Sequence, residues 1–217
     1  DDTDITDGVL DLIGQVILHP VTAGGVFKAE SVQGEKKIAA AAVRATINQK
    51  GRYARLKAIE KMFSDDAYGI SDGGTVEEIE AVCPKCLFET YKNILGTARI
   101  EIFSVGDFDG NKLEKKFSEI FSSVDRGEIY EPKSDTKGTE RAEIQKIYDR
   151  QNVTQGVLVL GFFTGSAASD DDYAVTKVFN PVFGGSAASK LFMNVREKLS
   201  LCYYCSSSLI PEKGAMT

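Results

Sequence analysis

The chain has 217 residues, of which 42% are hydrophobic and 27% charged, a composition typical of a globular protein with a core of its own. Its net charge of −6 and pI near 5.0 argue against nucleic acid or an anionic membrane as a partner, because phosphate groups require a basic face. No stretch approaches the roughly 18 apolar residues that a membrane span needs, and the first residues do not resemble a signal peptide, so we expect a cytoplasmic protein.

The first 125 residues are predicted to be mainly helical. Apolar side chains recur at helical spacing over 6–18, and the alanine-rich run KIAAAAVRATI predicts a helix over 26–48. Further helices are predicted over 48–63, with a short break at Gly51, over 75–82, from Pro84 to 95, and over 111–121. Asp109 is the expected cap of the helix at 111–121.

Strands are predicted where apolar residues alternate or run together. They cover 98–106, 142–151, 156–163 and 200–209. The strand at 156–163 is apolar on both faces, so we expect it in the centre of a sheet. Helices are predicted over 170–183 and over 186–199, the latter capped by Ser186. The fold class is therefore α+β, with helices layered on mainly antiparallel sheets.

The two ends of the chain and one internal stretch predict boundaries. Residues 126–140 are polar and contain Pro and Gly, which indicates a linker. Asp1 is not a methionine, and the turn PEKG at 211–214 is predicted to lack a second strand. We therefore expect the chain to be an internal fragment.

Four cysteines occur as two Cys-x-x-Cys pairs, CPKC at 83–86 and CYYC at 202–205, a pattern also found in zinc sites. Because residues i and i+3 of a strand point to opposite faces, Cys202 and Cys205 are expected to diverge and not to share an ion. CPKC opens a helix, which would activate Cys83, but redox motifs of this kind normally follow a strand. We therefore expect free, reduced thiols, with a cysteine-based zinc or redox protein as an alternative.

The segment that starts at Asn180, NPVFGGSAASKLFMNVREKLSLCYYC, combines a glycine turn, a helix with the pattern S-x-L-F-x-x-V-R-E-K and a following tyrosine. It resembles the pitrilysin (insulinase) family of zinc metallopeptidases and their processing-peptidase relatives, at the start of the C-terminal homologous domain. The matching positions are Gly184, Gly185, Ser189, Leu191, Phe192, Arg196, Glu197, Lys198 and Tyr203. The resemblance implies that Arg196 and Tyr203 hold the substrate backbone across a chamber from the zinc ion.

The stretch IFSVGDFDGNKLEKKF, at 102–117, also resembles this family, at the strand, turn and helix that close its N-terminal domain. The likeness implies two half-domains of the pitrilysin-like metallohydrolase fold. Residues 1–125 would be the C-terminal part of the first domain, 126–140 a linker, and 141–217 the truncated start of the second. The resemblance is closest to bacterial non-catalytic members.

The function that we expect depends on the positions at which this chain differs from the family pattern. The family's inverted zinc motif, H-x-x-E-H, is absent from this chain, and by the resemblance it would lie upstream of Asp1. The third zinc ligand is expected within KIAAAAVRA, where Ala41 and Ala42 stand, and alanine cannot bind zinc. A shift of the alignment by two helical turns would place Glu35 there instead.

We therefore expect a non-catalytic subunit or half without a cofactor of its own. It would form part of a peptide-binding chamber and hold extended substrate beside an active, zinc-bearing homologue as hetero-oligomer partner. The alternative is an active zinc metalloendopeptidase whose H-x-x-E-H motif lies upstream of Asp1.

Overall fold

The computed structural model describes residues 6–131 and 143–217. Its helices are α1 (Thr6–Leu18), α2 (Ala29–Thr46), α3 (Lys50–Met62), α4 (Val76–Ala81), α5 (Pro84–Thr97), α6 (Gly110–Phe121) and α7 (Tyr173–Phe183), followed by a π-helical segment, Phe192–Lys198. Its strands are β1 (Thr22–Ala23), β2 (Val26–Phe27), β3 (Phe162–Phe163), β4 (Leu209–Ile210) and β5 (Ala215–Met216), and every strand pair is antiparallel. The predicted α+β class is confirmed.

The contacts divide the chain into two compact units. The first unit covers 1–41 and 76–133, and the second covers 42–75 and 134–217, so that one boundary falls within α2. The division at 125 and 141 expected from the sequence stays a prediction. Most of the predicted linker, from 132 to 140, lies outside the described residues.

The first unit is held by aromatic packing and by a close approach of two helices. Phe27 of β2 meets Phe88 and Tyr91 of α5 edge to face, at 5.3 and 5.5 Å between ring centroids. Helix α1 lies against α6 at Gly14, where an added Cβ would come within 2.8 Å of the Ile120 side chain. A glycine at this point therefore lets the two helices approach.

The second unit has a small apolar core at the end of α3. Phe63, Ile210 and Ala215 are almost fully buried, at 2%, 2% and 1% exposure. The Phe63 ring packs edge to face on Phe163, with 5.7 Å between centroids. The three-stranded sheet, in the order β3-β5-β4, therefore packs against the C-terminal end of α3.

Individual residues in the local sequence determine where the helices begin. The Asp109 side chain accepts hydrogen bonds from the backbone N–H groups of Asn111 and Lys112, which confirms the predicted cap of α6. Pro84 occupies the first turn of α5, as predicted. Two other predicted features are wrong: Gly51 lies inside α3, and the helix expected from residue 26 begins only at Ala29. A tight hairpin precedes it, whose glycines Gly24 and Gly25 both have positive φ.

Most of the predicted strands do not form paired strands within the described residues. Residues 98–105 and 143–151 pair with no strand of the described chain, and only Phe162 and Phe163 of the 156–163 run enter a sheet. The latter form an edge strand, whereas the sequence predicted a central one. Alternating apolar residues predict extended backbone, but pairing also requires a neighbouring strand, which the local sequence does not specify.

The C-terminal hairpin also corrects a prediction. Residues 200–208 were predicted to be part of a strand that ends at a turn with no second strand after it. In the structure, β4 begins only at Leu209 and pairs with β5, on the other side of the turn. Gly214 has the left-handed φ of 56° that closes this turn. The missing second strand expected from PEKG is therefore present as Ala215–Met216.

Among the described residues, no helix combines the length and the apolar character that crossing a membrane would demand.

Candidate functional site around Arg196 and Tyr203

The predicted glycine turn follows directly on α7. The carbonyl of Asn180 accepts hydrogen bonds from the backbone N–H groups of both Gly184 and Gly185, at 2.9 and 2.8 Å. These two bonds end the helix and turn the chain away from it. The chain therefore leaves α7 at Gly184 and Gly185, and the role of these glycines in a site stays a prediction.

A side chain at either glycine would come too close to its neighbours. A Cβ at Gly184 would lie 2.6 Å from the Ser207 hydroxyl and 2.8 Å from a Leu191 methyl group. A Cβ at Gly185 would lie 2.6 Å from the Asn180 amide nitrogen. Neither glycine has a positive φ, so a side chain is excluded by close contacts and not by backbone conformation.

Ser207 joins the last segment of the chain to this turn. Its backbone N–H donates to the Gly184 carbonyl at 3.0 Å, and its hydroxyl donates to the Asn180 side-chain oxygen at 2.7 Å. Ser207 is 7% exposed, so these bonds are shielded from water. Sequence reasoning missed Asn180 and Ser207, because a contact across 27 positions leaves no local pattern.

The helix that carries Arg196 begins later than predicted. Ser186 was expected to cap it, but the Ser186 hydroxyl donates to the Pro181 carbonyl instead. The Ser189 hydroxyl, in a residue 1% exposed, accepts from the Phe192 N–H and performs the capping. The segment Phe192–Lys198 is π-helical, a geometry often found at functional sites. It ends at Lys198, and Ser200, two residues further on, has a left-handed φ of 51°.

Arg196 is held by three neighbours. Its Nε donates to the Tyr203 carbonyl at 2.7 Å, and its Nη1 forms an ion pair with Glu197. Its guanidinium also lies over the Phe192 ring, 4.7 Å from the ring centroid. An arginine near the end of a helix can also donate to the last carbonyls of that helix, but none of these three partners is such a carbonyl. The structure thus brings Arg196 and the backbone of Tyr203 together, as a site requires.

The Tyr203 side chain points to solvent while its backbone is anchored. The residue is 84% exposed, and the following Tyr204 is 66% exposed. No strand of the described chain, 6–131 and 143–217, pairs with residues 202–206. Tyr203 therefore projects from an unpaired stretch of backbone that is fixed at one end by Arg196.

The thiols on either side of Tyr203 do not diverge, which corrects the prediction made from strand geometry. Burial raises the pKa of the Cys205 thiol, and a hydrogen bond with the Cys202 thiol raises it further. Two thiols that share a hydrogen bond lie on the same side of the backbone. The prediction failed because residues 202–205 are not a strand.

The other cysteine pair also differs from expectation. Cys83 and Cys86 form a disulfide, whereas the sequence predicted free thiols. Two of the four sulfurs are therefore already bonded, and a four-cysteine zinc site is not present. Within residues 6–131 and 143–217, no group of three or more His, Cys, Asp or Glu side chains is arranged to hold a metal ion.

The expected position of the third zinc ligand lies on α2. Ala41 and Ala42 are both exposed there, and Glu35 lies two turns earlier on the same face as Ala42. Seven residues of α-helix span about 10 Å, so the two alternative alignments place the expected ligand about 10 Å apart along α2. Whether this position belongs to a zinc site stays a prediction.

Comparison with known proteins identifies the sequence family. The family described as "Peptidase M16 inactive domain" matches residues 85–217. A Bacillus subtilis protein named "Probable inactive metalloprotease YmfF" is 31% identical over the whole of this chain, which covers 50% of that protein.

Two solved structures share the fold. A conserved protein from Enterococcus faecalis is 28% identical and superposes with a TM-score of 0.79, over 100% of this chain and 51% of that one. A peptidase M16 inactive domain from Pseudomonas fluorescens, 19% identical, superposes with a TM-score of 0.69 over 99% of this chain and 51% of that one. The chain thus spans about half the length of the relatives it matches.

Proposed function

The chain belongs to the peptidase M16 family through its inactive domain, and from this membership we propose that it holds extended peptide without cleaving it. The peptide would be cleaved by a zinc-bearing homologue with which the whole protein forms a hetero-oligomer. The observation that carries the proposal is the bond from the Arg196 guanidinium to the Tyr203 carbonyl, because it orders the Arg196 side chain and the Tyr203 backbone before a peptide arrives.

Arg196 is suited to bind a peptide carbonyl. A guanidinium has five N–H donors, and the Tyr203 and Glu197 bonds engage Nε and one hydrogen on Nη1. The Phe192 ring beneath the guanidinium limits its rotation. A side chain that is already ordered loses less conformational entropy on binding, so more of each new hydrogen bond appears as affinity.

The backbone beside Arg196 is suited to strand addition. Residues 202–206 pair with no strand of the described chain, and the Tyr203 side chain of this segment is exposed. An extended peptide can pair with such an unpaired stretch through main-chain hydrogen bonds, whatever its sequence. The tyrosine ring would add apolar contact area at low entropic cost.

The absence of cleavage is proposed from the residues at the expected third-ligand position. Ala41 and Ala42 have no group that coordinates zinc, so the hydrolytic water would have to be activated elsewhere. The zinc would then be supplied by the partner, and this chain would contribute affinity and orientation to the shared substrate.

The proposal is tested by fluorescence anisotropy with fluorescein-labelled 15-residue peptides of mixed sequence. Arg196→Met and Tyr203→Ala should each weaken binding about tenfold, or about 1.4 kcal/mol, because each removes one anchored contact. Tyr203→Ala should leave the thermal midpoint unchanged, since the side chain is 84% exposed.

Tyr148 provides the matched control, because it is also a highly exposed tyrosine of the second unit, at 81%. Tyr148→Ala should bind as the wild type does. If the Tyr148 and Tyr203 variants bind equally well, exposed aromatic surface in general, and not this site, holds the peptide. If the wild type binds no member of the peptide panel, the proposal fails.

A further inference from the structure

The Cys83–Cys86 disulfide lies at the start of α5, in the first unit, and is separate from the proposed peptide site. Cys83 is the N-cap residue, Pro84 follows in the first turn, and Cys86 is the third residue of the helix. The disulfide therefore joins the cap to the first turn of a helix of 14 residues.

The two sulfurs have different surroundings. Cys86 is an exposed residue, whereas Cys83 is half-buried. The Cys83 sulfur accepts a hydrogen bond from the Cys86 backbone N–H at 3.0 Å, in the manner of an N-cap side chain. An attacking thiol therefore has better access to Cys86, and Cys83 is the sulfur whose negative charge the helix stabilises.

The charges around Cys83 also favour a thiolate. The first turn of α5 contains no acidic residue, but Lys85, between the two cysteines, is already paired with the Glu89 carboxylate at 3.8 Å and is therefore not a free cation. The Lys36 ammonium donates to the carbonyls of Glu80 and Val82, each at 2.7 Å, which places a cation next to the residue that precedes Cys83. A helix N-terminus and nearby cations lower the pKa of a thiol, and a thiol of low pKa is a better leaving group.

We propose that Cys83–Cys86 is a thiol–disulfide exchange site that reacts with small thiols of the glutathione class. The thiolate attacks the Cys86 sulfur, a new sulfur–sulfur bond forms there, and the Cys83–Cys86 bond breaks with Cys83 leaving as a thiolate. A second thiol then attacks the sulfur of the bound thiol, which releases a small-molecule disulfide and leaves Cys86 reduced. The two thiols lose two protons and two electrons. The Cys83 and Cys86 sulfurs gain the electrons, and each takes up a proton when it becomes a thiol or leaves it in the solvent when it stays a thiolate.

The test uses the full chain carrying Cys202→Ser and Cys205→Ser, so that only the disulfide can react. The protein is incubated with reduced glutathione at pH 7, quenched with acid and mapped by mass spectrometry. We expect a mixed disulfide on Cys86 and not on Cys83, formed at least tenfold faster in the folded protein than in the same protein unfolded in urea. A folded protein that reacts no faster than the unfolded one, or that reacts first at Cys83, would overturn the proposal.

A second measurement examines the leaving group. In Cys86→Ser with Cys202 and Cys205 also replaced by serine, the rate of Cys83 alkylation by iodoacetamide should reach half its maximum at a pH below about 8.5, the ordinary value for a thiol. If that variant does not fold, the fully reduced chain with both Cys202 and Cys205 replaced gives the same profile for Cys83. A midpoint at or above 8.5 would mean that the helix start does not activate this cysteine, and the disulfide would then be structural.

Discussion

Lys213 and Asp66 form an ion pair that is largely shielded from water. The Lys213 ammonium lies 2.6 Å from an Asp66 oxygen, and the two side chains are 10% and 22% exposed. Hydrogen bonds from Lys213 and from the Tyr68 backbone N–H lower the pKa of Asp66. The pair connects the turn after α3 to the hairpin between β4 and β5, so it stabilises the core of the second unit.

The stability of the second unit should therefore fall in acid. Because the pKa of Asp66 is lower in the folded state, the contribution of this pair is fully present above about pH 4, the ordinary range for aspartate. It is lost as the pH falls through the depressed folded-state value. Lys213→Met should cost roughly 2 kcal/mol at pH 7 and reduce the loss of stability between pH 5 and 2, measured by urea unfolding.

Asp66→Asn is the matched variant, because it keeps a side chain that can accept from the Tyr68 N–H but no longer titrates. It should reduce the same acid dependence. An acid dependence identical in the wild type and both variants would assign the effect to other carboxylates.

At the scale of elements, the helices were largely predictable and the strands were not. α1, α4 and α6 follow from apolar spacing and an Asp cap, which are local properties of the chain. The stretch 98–105, predicted as a strand, pairs with no strand of the described chain, and Phe103 and Val105 are 86% and 101% exposed. Beside it lies a cavity of about 630 Å³, lined by apolar side chains of this stretch and of α6.

Phe103 and Val105 should accordingly contribute little to the stability of this chain. Phe103→Glu and Val105→Thr are each expected to change the free energy of unfolding by less than about 0.5 kcal/mol, because neither side chain leaves water. Ile120→Ala, at the contact with Gly14, should cost about 2 kcal/mol in the same urea titration. A loss above about 1.5 kcal/mol for the Val105 variant would show that the 98–105 stretch is covered in solution.

At the scale of the whole molecule, the sequence predicted the family and the candidate residues, but not how they are held. Arg196, Tyr203 and the two glycines were found from a sequence resemblance. The bonds that organise them depend on Asn180, Ser207 and the π-helical turn, which no local pattern specified. Since the chain spans about half the length of its relatives, the partner and the cleavage reaction remain proposals about the whole protein.

Photo-cross-linking shows where a bound peptide lies and therefore tests whether Arg196 and Tyr203 hold it. A mixed-sequence peptide with a benzophenone side chain is irradiated with the wild-type chain, and the attachment points are mapped by mass spectrometry. We expect cross-links to concentrate on residues 196–206 and to decrease about tenfold in Tyr203→Ala, and we expect the peptide to be recovered uncleaved. Cross-links concentrated instead on the apolar stretch 98–105, or a cleaved peptide, would contradict the proposed function.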